Sequence, residues 1–383
     1  MHFLDSIIIG IYVITLIYIG FNRTKKSRSS PEEYLLMGRR LSLPGFVASL
    51  VATWYGGILG LGENTYQNGI QTWFILAMPY YVFGLIFALF LAKRISLEKF
   101  ISIPDHFHNY YGNTAGILSA LFILVIASPA PYVLSLSILL QMFTDISSSW
   151  SLILSIVISL SYIWAGGLRS IIRTDIFQFI LMYGGFIILL FFCWVKFGSP
   201  ISLINKLPQT HLDPLGGMKP QYILVWFFIA MWTFVDPGFY QRCSAVKSPN
   251  TAKKGILISI LFWIIFDILT ITTGLYARVA IKFPIMNPIL PTMEISSPLY
   301  SFPLLGNEIL PPIFFGLFLV AILSTIMSTV DSLGFISAIT FGRDIMWRIK
   351  TSSTINNEKA VQDSTYFVQQ GLFVMGFLAL LLA

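Results

Sequence analysis

The sequence predicts an all-α integral membrane protein of about ten transmembrane helices, and three observations predict it. Charged residues are 11% of the 383-residue chain and hydrophobic residues 56%, whereas a soluble domain carries about 25% charge. The apolar residues gather in blocks such as 176–194 and 255–276, each long enough to cross a hydrocarbon layer that needs about 20 residues. The basic residues, in turn, fall in alternate loops. In lipid every backbone N–H and C=O must find its partner within the protein, and a helix satisfies this segment by segment.

Taken in order, spans are expected near 4–21, 44–66, 72–92, 114–144, 149–165, 174–196, 222–241, 254–277, 309–341 and 366–383. No basic residue precedes the first and no small-residue cleavage pattern follows it, so it reads as a retained helix and not a signal peptide. One set of loops carries Arg23, Lys25, Lys26, Arg28, Arg39 and Arg40, then Lys93, Arg94 and Lys99, then Arg169 and Arg173. The same side continues with Arg242, Lys247, Lys253 and Lys254, and with Arg343, Arg348, Lys350 and Lys359. The other side has Lys196, Lys206, Lys219, Arg278 and Lys282. The richer side should be cytoplasmic, which puts the N-terminus outside in a plasma (inner) membrane. The net charge of +7 then reflects topology and the lipid bilayer as partner, with no nucleic acid implied.

Enzymatic chemistry has little support. His106 and His108 are two apart and point to different faces of a helix. Cys193 and Cys243 form no CxxC pair, so buried thiols are expected and a disulfide is not.

Two spans contain clusters of helix breakers. The second has Thr53-Trp54-Tyr55-Gly56-Gly57 with Gly60 and Gly62, and the seventh has Thr233-Phe234-Val235-Asp236-Pro237-Gly238. Glycine loosens a helix, and proline removes a donor and clashes with the preceding turn. Close helix packing is one explanation for either alone. Their positions, five spans apart, favour another. Interrupted helices at matching places in two halves point to an inverted-repeat transporter with its site at the membrane midplane. In the ninth span Ala321, Ser324, Thr325 and Ser328 fall on one helix face. Such a stripe serves helix packing, or supplies the oxygen ligands that hard cations prefer.

At these residues the chain resembles the sodium:solute symporter family, whose members carry proline, pantothenate, sugars and choline. Four blocks within residues 4–345 carry the resemblance: 49–57, 166–178 with its Gly166-Gly167 and Thr174-Asp175, 236–242, and 321–332. It implies a LeuT-like core of inverted five-helix repeats after one extra N-terminal helix. Residues 1–43 would hold that helix and a loop, 44–197 the first repeat, and 222–383 the second. The chain reaches Ala383 inside an apolar run. The second repeat therefore counts four helices, as expected of a fragment or of an incomplete repeat.

The resemblance implies sodium-coupled import of a small organic solute, with Na+ as coupling ion and no cofactor. A truncated or vestigial homologue that binds sodium or solute without transport is the alternative. The implied sodium ligands are the carbonyls of Ala52, Tyr55 and Ala321 and the hydroxyls of Ser324 and Thr325. Asp175 would help sodium leave at the cytoplasmic mouth, or be an ordinary interfacial charge beside Arg173. Solute would contact Thr53, Trp54, Gly56, Gly57, Trp232, Thr233 and Asp236. The stretch from Thr53 to Gly57 is similar to the choline branch, and a quaternary ammonium would suit tryptophan faces. Tyr110 stands where the family usually has arginine.

Overall fold

A computed structural model describes residues 2–22, 30–144, 146–281, 297–351 and 358–383, without the side chains of 351–363. Arg23, Lys25, Lys26, Arg28 and Lys282 from the topology argument lie outside the described residues, as does the side chain of Lys359. Among the described residues the regular structure is helical, with one isolated bridge joining Leu41 and Val246.

The helices that matter are α1 (Phe3–Phe21), α2 (Leu43–Tyr55), α3 (Ile58–Asn68), α4 (Gln71–Glu98), α5 (Asn113–Phe143), α6 (148–166), α7 (168–197), α8 (Pro220–Ala245), α9 (Pro249–Ala280), α10 (Phe314–Lys350) and α11 (Ser364–Leu382). α2 and α3 form one span bent by 58°. α6 and α7 are continuous as Ser148–Phe197, but 50 residues would run about 75 Å as one helix, more than two crossings of a 30 Å layer. The backbone leaves helical geometry at Gly167 (φ 55°, ψ −145°), dividing it in two. This makes ten spans among the described residues, as expected.

A recurrent device starts the helices. A cap residue followed by proline in the first turn occurs at Ser42, Ser102, Asp236 and Ser248, each accepting from backbone N–H groups of that turn. The cap satisfies donors that have no intrahelical partner, and proline needs none. α1 braces the start of α10: Asp5 Oδ1 accepts from the N–H of Ile313 at 2.9 Å and of Gly316 at 3.0 Å.

α7 and α10 form the centre. A Cβ at Gly185 would lie 2.2 Å from the side chain of Ala321, so these backbones approach as closely as two small residues allow. At the Leu43 end of the bundle, the short helix Ile103–Tyr111 is clamped to α10 by Asp105. Its carboxylate pairs with Arg343 at 2.9 Å and with Arg348. Burial would raise the pKa of Asp105, but Arg343 and Arg348 hold it below the ordinary carboxylate value. Cys193 and Cys243 are buried free thiols.

Candidate functional site

The two breaks face each other. α2 is α-helical to Ala52, tightens into a 3₁₀ turn over Thr53–Tyr55 and resumes as α3 after Gly57. α8 likewise tightens into a 3₁₀ stretch over Ala230–Val235 and becomes extended at Asp236 (ψ 115°). Asp236 restarts it, Oδ1 accepting from Gly238 N at 2.7 Å and Phe239 N at 3.1 Å, while Trp232 Nε1 donates to Oδ2 at 3.3 Å.

Between the breaks lies a cavity of about 570 Å³, within the range of small-molecule sites. Thr53, Trp54 and Gly57 line it from the first break, Trp232 and Asp236 from the second. Tyr80, Tyr132 and Phe239 add aromatic walls. Trp54 is fixed edge-on by Tyr80 at 5.1 Å and Phe239 at 5.9 Å, and lies 5.0 Å from Trp263.

Two of the expected solute contacts do not line the cavity. A Cβ on Gly56 would meet Thr329 at 2.6 Å, whereas one on Gly57 would meet nothing within 4 Å. Gly56 therefore lets α10 approach the break, and Gly57 faces open space. Thr233 is 1% exposed and its hydroxyl is buried without a partner; the 3₁₀ winding turns it away from the cavity that Trp232 lines.

A polar network closes the cavity toward the Leu43 end. Asp175 of α7 accepts from Ser49 Oγ on α2 at 2.5 Å and from Ser328 Oγ on α10 at 2.6 Å. Arg242 of α8 donates to Ser49 Oγ at 3.0 Å, Thr53 Oγ1 at 3.1 Å and Ser332 Oγ at 2.6 Å, and its guanidinium is 3.8 Å from Asp175. Both charged side chains are fully buried. Arg242 is thus no cytoplasmic loop charge, as the topology argument had it. Neither is Asp175 an interfacial charge beside Arg173: both are drawn inward by four helices at once.

The structure also fixes which hydroxyls of α10 meet the first break. Thr329 Oγ1 donates to Thr53 O at 2.7 Å and lies 3.1 Å from Thr325 O, and Ser328 Oγ sits 3.4 Å from Thr53 Oγ1. Ala52, Tyr55, Ala321, Ser324 and Thr325 are all buried. Yet the Thr325 hydroxyl turns back on Ile322 O at 2.7 Å. Ser324 Oγ lies toward Tyr12 of α1 without a well-formed hydrogen bond, and Ala321 packs on Gly185. The hydroxyls that contact Thr53 at the break are those of Ser328 and Thr329, one helical turn beyond the expected pair.

A family model described as the sodium:solute symporter family matches residues 34–383. The chain belongs to that family. Its architecture is correspondingly close to a solved structure described as the substrate-bound outward-open state of a Na+-coupled sialic acid symporter. The TM-score is 0.83 at 16% identity, over 100% of this chain and 82% of that one.

Relatives within the family are transporters and not enzymes. The sodium/pantothenate symporter of Haemophilus influenzae is 26% identical over 92% of this chain and 75% of its own length. The high-affinity choline transporter 1 of Drosophila melanogaster is 25% identical over 99% of this chain and 61% of its own. The sodium/proline symporter 2 of Staphylococcus saprophyticus is 22% identical over 85% and 65%. The chain thus spans between about three fifths and three quarters of the length of these family members.

Proposed function

We propose that this symporter-family chain is a secondary active transporter that couples sodium entry to import of a small organic solute by alternating access. The observation that carries the reading is the meeting of Ser328 and Thr329 with the unwound first break beside a 570 Å³ cavity. Unwound carbonyls and hydroxyls suit sodium, which prefers hard oxygen ligands. The proposed ligands are the carbonyls of Ala52, Tyr55 and Thr325 and the hydroxyls of Ser328 and Thr329. This is the set expected from the sequence with its α10 members moved one turn. Thr53, Trp54, Gly57, Trp232 and Asp236 would hold the solute.

Ser328 already donates to Asp175. A sodium ion leaving the ligand hydroxyls toward the Leu43 end would meet that carboxylate next, so Asp175 takes the release role. The basic loops make that end cytoplasmic and the N-terminus external in the plasma membrane. The network of Arg242 then closes the cavity from the cytoplasm. Sodium bound between α2 and α10 would favour this arrangement, and a ligand shifts an equilibrium only by its differential affinity. The membrane potential adds about 2.3 kcal/mol per charge per 100 mV.

The test is thermal unfolding of the purified chain in sodium against matched potassium, followed by sodium-driven uptake and counterflow in proteoliposomes. Binding to the folded state stabilises it by about 2.7 kcal/mol at a hundredfold excess over Kd. The wild type should show a sodium-specific rise that Ser328→Ala/Thr329→Ala loses and Ser324→Ala/Thr325→Ala keeps. The reverse pattern would return the site to the outer turn, and no rise in the wild type would overturn sodium coupling.

A further inference from the structure

A second cavity, of about 330 Å³, also borders the first break. Its walls include Trp54, Tyr55, Ile58, Leu61 and Leu76, and one acid, Asp267 of α9. It shares Trp54, Gly57 and Leu76 with the larger cavity, and beside Gly57 the space is open.

Asp267 is 4% exposed and sits near the middle of a 32-residue helix. Among the described residues the hydroxyl of Tyr81 donates to its Oδ2, and the phenols of Tyr55 and Tyr183 stand close by. Among the described residues no lysine, arginine or histidine lies within salt-bridge distance of it. Arg278 lies about 16 Å further along the helix axis at the α-helical rise, stacked on Tyr66. An ionisable group at membrane depth is costly and marks a ligand or ion path unless a partner neutralises it. Asp175, Asp105 and Asp344 each have an arginine; Asp331, which like Asp267 has none among the described residues, is held by Tyr162 and lines neither cavity, whereas Asp267 lines an aromatic-walled one.

The walls choose among cations. Sodium needs several oxygen ligands, and here the side chains other than Asp267 are apolar or aromatic. The Tyr55 hydroxyl is engaged by Trp263 O at 3.2 Å and the Gly57 carbonyl by Leu61 N at 3.0 Å. One carboxylate beside an indole and a phenol is instead a setting for an ammonium group, held by charge and by cation–π attraction. We infer that Asp267 is the counter-charge for an ammonium group on the transported solute, which lodges in the smaller cavity while the rest of the solute extends past Trp54 and Gly57 into the larger one. This rests on the symporter reading and names its substrate class.

The experiment adds choline, ethanolamine, D-glucose, pantothenate or 3,3-dimethylbutan-1-ol, the neutral isostere of choline, to the purified 383-residue chain in sodium. Thermal shift and equilibrium binding are read for wild type, Asp267→Asn, Asp267→Glu and Tyr81→Phe. At least one ammonium compound should bind, and its neutral isostere at least tenfold more weakly. Asp267→Asn should weaken the ammonium ligand at least tenfold, Asp267→Glu and Tyr81→Phe less, and all three should keep the sodium-induced shift. Binding by neutral or anionic compounds alone overturns the inference, as does unchanged ammonium affinity in Asp267→Asn. So does loss of the sodium shift in that variant with ammonium affinity intact, which would make the pocket a sodium site. If no ammonium compound binds while the wild-type sodium shift persists, the substrate class is wrong and the symporter reading stands; loss of the sodium shift in the wild type removes both.

Discussion

Arg242 and Asp175 show how little a residue's position in a loop-and-span diagram says about its surroundings. Each is fully buried, and the two are 3.8 Å apart with Ser49 bridging them. Removing one partner of a buried pair leaves the other uncompensated and costs about 3–5 kcal/mol. Asp175→Asn and Arg242→Gln are each expected to destabilise the protein by that order, and the double variant by clearly less than their sum. A chemical-unfolding double-mutant cycle in mixed micelles checks this. Additive losses would mean that the two charges do not interact and that the network is held by its serines alone. Trp54, Asp236 and Gly57, expected at the solute site and lining the cavity, all stand at or next to a breaker, where a polar or aromatic side chain has a reason other than helix packing. Asp267 stands in an unbroken helix, so nothing local singles it out.

Among the elements, the long segment Ser148–Phe197 depends on one glycine. Gly167 has φ 55° and ψ −145°, and a Cβ there would lie 2.3 Å from Tyr34 O. Backbone strain of about 1–3 kcal/mol adds to that clash, so Gly167→Ala should lower stability by at least about 3 kcal/mol. Gly184→Ala in α7 is the control, since a Cβ there meets nothing within 4 Å, and it should be neutral or slightly stabilising. Equal effects in thermal unfolding would remove the backbone argument. The sequence made Gly166-Gly167 visible as a motif but not its conformation. Glycine permits the mirror region of φ/ψ space, while the packing of Tyr34 on 163–167 demands it.

At the level of the whole molecule the question is which way it faces. Lys219, ahead of α8, and Tyr111, at the end of the short helix clamped by Asp105, are both exposed and at opposite ends of the bundle's topology. With the native thiols of Cys193 and Cys243 buried, a membrane-impermeant maleimide on intact cells should label Lys219→Cys and spare Tyr111→Cys until the membrane is permeabilised. The opposite pattern would invert the topology and place the closure by Arg242 on the outer side.

The class, the ten spans, the two breaks and the helix face of α10 that carries the hydroxyls were all legible in the amino-acid order. These follow from apolar length, from breakers and from a 3.6-residue period, all of them local. Periodicity sets the direction in which a side chain leaves its helix but repeats with every turn, so it could not say whether the hydroxyls of Ser324-Thr325 or of Ser328-Thr329 contact Thr53. That depth is decided by how α10 slides against α2 and α7, where Gly56 admits Thr329 and Gly185 admits Ala321. The tertiary structure likewise decided that Arg242 turns inward and that Asp267 meets a cavity and no cation, because the partners of a buried charge come from other helices.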